Sequence, residues 1–287
     1  MNVRDDIKVF DYINLSYYVF MIMLIIYNYN TVQEPLLLIT GYATIILSVL
    51  YITRIKKYNG IALVVRYFYP LVFIGFVFES LGFIVPFINP HNKDYILIGW
   101  DRAIFGNNVA DILGFLNVKG VIDYLQISYL AYYFLPLYLV YYLYKRKKIK
   151  LLNYALFALS LGYYISYIGY ILLPAIGPRY ALESLNAHPL NGTILYQHIS
   201  VLLNSLEHIK QDCFPSGHVE LSLLVLLIFK DIDKKRALII LPIVLSLTLA
   251  TMTLRYHYGV DVVAGTVVAF VVYYFSKYIY FKGKRIA

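Results

Sequence analysis

Charge is scarce in this chain. Only 14% of its 287 residues are Asp, Glu, Lys or Arg and 61% are hydrophobic, which excludes an ordinary soluble domain. There is a single cysteine, Cys213, so an intramolecular disulfide is excluded as well. A cysteine-nucleophile phosphatase loop needs Arg six residues after the cysteine, and here that position is Val219. No His-Glu-x-x-His pair is present to hold a catalytic zinc. No small-residue cleavage pattern follows the first apolar run, so that run reads as a retained span rather than a signal peptide. Internal repeats, low-complexity linkers and a soluble domain are also missing.

What the chain has in quantity is apolar runs, many long enough to cross a bilayer at about 20 residues. They predict an all-α, polytopic membrane protein with about eight transmembrane helices. The spans fall near 13–29, 36–52, 62–84, 121–144, 151–173, 215–230, 237–254 and 259–280. Residues 1–60 would hold two accessory helices, and 61–287 a six-helix core. Pro86 and Pro90 close the third span. The mixed segment from Asn89 to Gly120, with Trp100-Asp101-Arg102, is expected to lie in the interface, and Pro174 to Phe214 to form a long loop. Tyrosine is abundant, with 32 copies clustering towards span ends, as interfacial belts require.

The net charge of +9 is not a nucleic-acid footprint. Basic residues sit in short blocks between spans: Arg54, Lys56 and Lys57; Lys145 to Lys150; Lys230 to Arg236; Lys282 to Arg285. The positive-inside rule puts all four blocks, and both termini, in the cytoplasm. Three polar regions then share the outer face: Gly177-Pro178-Arg179, the stretch around His218, and Arg255-Tyr256-His257.

Each region carries a distinct chemistry. Asp212 to Glu220 joins the loop to an apolar run. Pro215 suits a first helical turn, and the N–H groups of Ser216 and Gly217 would face an anion at the positive end of the dipole. His218 adds a group that titrates near neutral pH. His257 and Asp261 are four apart and share a helix face, so the carboxylate can fix the ring tautomer. An acid just inside an apolar segment is costly, which favours function, although a His–Asp pair that merely caps a helix is the bland alternative. The guanidinium of Arg179 is a fork suited to phosphate, or else an interfacial snorkelling arginine; Arg255 is open to the same two readings. His188, His198, His208 and His218 recur every ten residues, which fits no regular period, and the first three read as loop residues.

Together these regions resemble the type 2 phosphatidic acid phosphatase superfamily. Pro215-Ser216-Gly217-His218 matches its second motif, His257-x-x-x-Asp261 ends its third, and Arg179 stands in the place of the first. The chain departs from the pattern at Leu172, where the family has lysine, at Thr251, where it has arginine, and in the order Pro178-Arg179. These departures, with Leu97 to Gly106, look like the branch that contains inositol phosphorylceramide synthases. The resemblance implies His257 as nucleophile through a phosphohistidine, Asp261 orienting it, and His218 as acid and base. Arg179, Arg255, Ser216 and Gly217 would hold the phosphate, with no metal or other cofactor. The implied substrate is an amphiphilic lipid phosphate or diphosphate, and hydrolysis and transfer to a hydroxyl both remain open. A transporter using Glu79 and Asp261 as relay acids is the non-enzymatic alternative.

Overall fold

In the computed structural model, residues 7–55, 58–182, 189–206 and 209–282 are described. The basic residues Lys56, Lys57, Lys284 and Arg285, and His188 and His208, lie outside them. Among the described residues there is no strand. Eight long helices form the body: α1 (Val9–Tyr27), α2 (Pro35–Thr53), α3 (Gly60–Leu81), α7 (Val121–Lys145), α8 (Ile149–Leu172), α11 (Gly217–Ile232), α12 (Lys234–Thr253) and α13 (Gly259–Phe281). Short elements decorate it: α4 (Val85–Ile88), α5 (Asp94–Phe105), α6 (Val109–Ile112), a 3-10 turn at Gly114–Leu116, α9 (Pro178–Ala181) and α10 (Ile194–Leu206). The chain is an all-α, polytopic membrane protein.

Six of the long helices are long and apolar enough to span a bilayer on their own: α1, α2, α3, α8, α12 and α13. The two exceptions are informative. Helix α7 is diluted by Asp123, Gln126 and many tyrosines. Helix α11 has 16 residues, so it rises only about 24 Å, and its first turn carries His218 and Glu220. It packs against α7, α8, α12 and α13, so neighbouring protein rather than lipid surrounds it. The two helices least like membrane spans therefore bear polar groups into the bundle.

Helix α1 is fastened to α3 and α8 by buried polar contacts. Arg66 of α3 grips Asp11 of α1 through two bonds, Nη1 to Oδ1 at 2.8 Å and Nη2 to Oδ2 at 2.6 Å. The Tyr69 hydroxyl also donates to Asp11 Oδ1, and the guanidinium lies 4.8 Å from the Phe10 ring centre. One turn further along α1, Asn14 donates to Ser160 of α8 at 3.1 Å and accepts from Tyr164. A buried pair of this kind is a locating device: it is satisfied in one packing and costly in every other.

Two segments differ from the sequence expectation. The stretch from Pro174 to Phe214 is not all loop: α10 turns Leu203 and Ser200 inward and leaves Ile194, Val201 and Leu202 exposed. A polar-flanked helix of 13 residues gives a weak signal beside spans of twenty. Pro215 precedes α11 rather than opening it, because Ser216 is the N-cap and accepts from the Val219 amide at 3.5 Å.

Candidate active site

The site lies where α8, α11 and α13 converge. The stretch 214–216 is clamped between glycines: Gly169 of α8 packs on Pro215, and a Cβ on Gly265 of α13 would sit 2.5 Å from the Ser216 carbonyl oxygen. Only bare backbone lets the flanking helices approach this closely. The Ser216 amide donates to the Asp261 carbonyl at 3.1 Å, tying the start of α11 to the start of α13.

The end of α12 aims His257. Arg255 takes a left-handed conformation, φ +63°, just past the helix. Its amide bonds Met252 O, and the amides of Tyr256 and His257 both bond Thr251 O, each at 3.0 Å. This is a Schellman ending with arginine where glycine is usual. The Arg255 carbonyl in turn accepts from the Arg179 amide at 2.8 Å, so this turn also places the arginine loop.

His257 Nδ1 lies 2.9 Å from the Cys213 carbonyl oxygen. A carbonyl can only accept, so Nδ1 carries the hydrogen and Nε2 keeps its lone pair. That lone pair faces His218 Nδ1 at 3.4 Å, which assigns the hydrogen on His218 to Nδ1. The second nitrogen, His218 Nε2, is buried without a hydrogen-bond partner. Asp261 stands 3.5 Å from His257 Nδ1, further than the carbonyl. Its Oδ2 also accepts from the Tyr258 amide and from the Cys213 thiol, each at 2.8 Å. Asp261 thus caps α13 and supports His257 with the same oxygen.

Arg179 completes the cavity. Its Nη2 donates to Ser200 of α10 at 2.6 Å and its Nη1 to the Tyr256 hydroxyl at 3.3 Å. An aromatic stack bridges it to the histidines: Tyr129 lies 4.4 Å from the His218 ring and 4.3 Å from the Tyr256 ring, centre to centre. Arg179, His218 and His257 all line one small cavity, together with Lys210, Asp212 and Cys213. Arg255, Ser216 and Gly217 do not line it. Arg255 holds the arginine loop through its carbonyl, Ser216 caps α11 with its side chain and bonds Asp261 through its amide, and Gly217 packs on Tyr170, whose hydroxyl would be 2.6 Å from an added Cβ.

Several residues here were not singled out from sequence. Lys210 brings a second cation to the cavity, and its Nζ donates to the Asn204 carbonyl at 2.9 Å. Helix α5 supplies two carboxylates. Asp94 accepts from the amides of Ile176 and Gly177, at 3.1 and 2.9 Å, and from the Tyr258 hydroxyl. Asp101 accepts from the amides of Gly259 and Val260, at 3.0 and 2.8 Å, capping α13. Burial holds the Asp101 carboxyl above the usual carboxylate range despite those donors. Asp101→Ala is expected to lower stability by about 2–3 kcal/mol, read from thermal unfolding in detergent micelles, with Asp101→Asn losing less.

The sequence comparison matches this architecture. The family described as the PAP2 superfamily matches residues 96–275, from α5 to late α13. The chain belongs to the PAP2 superfamily. Members are generally phosphatases or phosphotransferases, which is the general activity the membership supports here. No curated protein matches the chain, and no solved structure does.

Proposed function

We propose that this PAP2-superfamily chain is an integral membrane phosphatase acting on a lipid phosphate or diphosphate through a phosphohistidine at His257. The observation that carries the reading is the pinned tautomer: His257 Nδ1–H is held by the Cys213 carbonyl, leaving the Nε2 lone pair facing the His218 Nδ1–H inside a cavity lined by Arg179. In the first step Nε2 attacks phosphorus and the bond to the leaving oxygen breaks. His218, made imidazolium by a proton that enters with the phosphate, gives that oxygen its Nδ1 proton and is left as the neutral ring. In the second step His218, now a base, takes a proton from water whose oxygen attacks phosphorus, and phosphate leaves His257.

Arg179 and Lys210 hold the equatorial oxygens as charge spreads over them. Ser216, Gly217 and Arg255 act in this scheme as the framework that sets the two histidines, while the Cys213 carbonyl and Asp261 steady the charge gained by His257. The two rings touch at 3.4 Å, so an incoming phosphate must part them. Arginine and lysine supply the positive field without calling on a metal ion. Because α11 runs from the site towards the Lys230–Arg236 block, the site would face outwards with both termini cytoplasmic.

A second cavity supports an amphiphilic substrate. It holds about 210 Å³, is walled by Ile74, Gly75 and Phe78 of α3, Tyr133 and Leu137 of α7 and Tyr167 of α8, and shares His218 and Asp212 with the first. Tyr133 and Leu137 are 39% and 45% exposed at its edge. A lipid tail lying there would keep its phosphate at the histidines. A Cβ on Gly75 meets nothing within 4 Å, so Gly75→Leu fills this groove without strain. Turnover of a long-chain phosphate is expected to fall about tenfold while a short-chain, water-soluble phosphate is unaffected. Equal loss on both would remove the groove from the substrate path.

The resemblance to inositol phosphorylceramide synthases supports the alternative of a phosphotransferase, in which a lipid or polyol hydroxyl replaces water in the second step. Purified protein assayed on a lipid phosphate panel, with and without hydroxyl acceptors and without divalent metal, separates the two. Phosphate release blocked by vanadate marks the phosphatase, and acceptor-dependent headgroup exchange marks the transferase. A folded protein that does neither would point to transport through the acids of the bundle and overturn the enzymatic reading.

A further inference from the structure

One group in the site has no part in moving phosphate. The Cys213 thiol is 3% exposed and donates to Asp261 Oδ2 at 2.8 Å. It also lies 3.6 Å from His257 Nδ1. Burial, with the carboxylate beside it, pushes this thiol well above its ordinary range, so it stays protonated and inert as a nucleophile. Cys213 Sγ, His257 Nδ1 and an Asp261 oxygen all fall within 4.8 Å of one another.

We propose that Cys213, His257 and Asp261 form a binding site for a thiophilic divalent cation of the zinc class, and that its occupancy silences the histidine. With metal–ligand bonds of about 2.3 Å to sulfur and 2.0–2.2 Å to nitrogen and oxygen, a tetrahedral ion sets ligand separations of about 3.6 Å for S···N, 3.4 Å for N···O and 3.6 Å for S···O. The first two match the 3.6 Å and 3.5 Å found here. The third, now 2.8 Å, is a thiol–carboxylate hydrogen bond that opens once its proton leaves. The other carboxylate oxygen, Asp261 Oδ1, is buried with no hydrogen-bond partner, an unmet acceptor beside the cluster. The ion reaches the cluster from the cavity that Cys213 and His257 line, and that side offers its fourth position to water.

The proton balance explains the silencing. On binding, the thiol proton is released to solvent and the sulfur becomes a metal-bound thiolate. The His257 hydrogen leaves Nδ1, which takes the metal, and reappears on Nε2, whose lone pair is then spent. One proton is lost per ion bound, and no oxidation state changes. Magnesium, which wants six oxygen ligands in an octahedron, does not fit a sulfur, nitrogen and oxygen set.

The binding half stands on the cluster alone, and the silencing half rests on the proposed function. Cobalt(II) titrated into chelator-stripped, full-length protein in detergent tests the first. A thiolate-to-cobalt charge-transfer band at one ion per chain is expected, bleached when zinc displaces it. Because the chain has one cysteine, such a band can come only from Cys213. No band, in protein that still unfolds cooperatively on heating, overturns the site. In a phosphate-release assay, zinc at the concentration that bleaches cobalt should cut turnover at least tenfold, chelator should restore it, and magnesium should do neither. Zinc that bleaches cobalt yet leaves turnover intact overturns the silencing. If no turnover is found under any condition, the enzymatic reading fails while the cobalt spectrum still decides the site.

Discussion

His257→Ala is expected to cut phosphate release by at least about 10⁴-fold, because in the proposed mechanism it removes the atom to which phosphorus is transferred. Binding to Arg179 and Lys210 should survive, so KM changes little and the loss falls on kcat. The partner variant separates the two ring roles. His218→Gln is expected to lose about 10²–10⁴-fold on an alkyl phosphate, whose poor leaving group needs a proton. On a nitrophenyl phosphate the leaving oxygen departs without one, and most of that loss should disappear from the first step. A burst of nitrophenol, followed by slow turnover, would then report a stranded phosphohistidine. If His257→Ala kept wild-type kcat, or if His218→Gln slowed the first step by the same factor on both substrates, the division of labour between the rings would fall.

The second large effect concerns stability and lies far from the site. Arg66→Ala leaves Asp11, fully buried, with its charge uncompensated. Breaking such a pair from one side is expected to cost about 3–5 kcal/mol. Removing both sides in Arg66→Ala with Asp11→Ala should cost less than the first variant alone, since no orphan charge remains. A double-mutant cycle read from thermal unfolding in detergent checks the sign of that difference. An additive result would mean that the two groups do not interact in the folded protein. Loss of α1 docking should also show as faster proteolysis near the α1–α2 turn.

Much of this architecture was legible in the sequence because bilayer thickness imposes a length on every apolar run. The same constraint hid the helices that deviate from it. Helix α10 lies in a polar-flanked segment, and its inward face of Leu203 and Ser200 makes a short pattern beside the spans. Of the chemical groups, His257 and Asp261 stand out through their spacing of four, and His218 through its helix-start context. Arg179 is marked by its neighbouring proline and glycine. Tyr129 and Tyr256 could not stand out, because a chain with 32 tyrosines offers no contrast against which two become visible. Lys210 looks like any loop lysine until the loop folds back over the cavity. Asp101 and Gly259 are 158 residues apart, and no local pattern links them. Arg255 shows the reverse case: its charge drew attention, while the structure uses its left-handed backbone to end α12.

The two carboxylates of α5 carry a consequence for biogenesis. Asp94 and Asp101 are synthesised well before what they hold: the amides of the arginine loop, then those that begin α13. Until α13 is inserted, Asp101 has no helix to cap, and His257, though aimed by the end of α12 and the Cys213 carbonyl, lacks Asp261 beside its Nδ1. A nascent chain that has not yet made α13 therefore carries the Pro-Ser-Gly-His stretch and His257 without the carboxylate that supports the histidine. The cluster of His218, His257 and Asp261 is thus complete only once α13 is in place, long after α5 has been made.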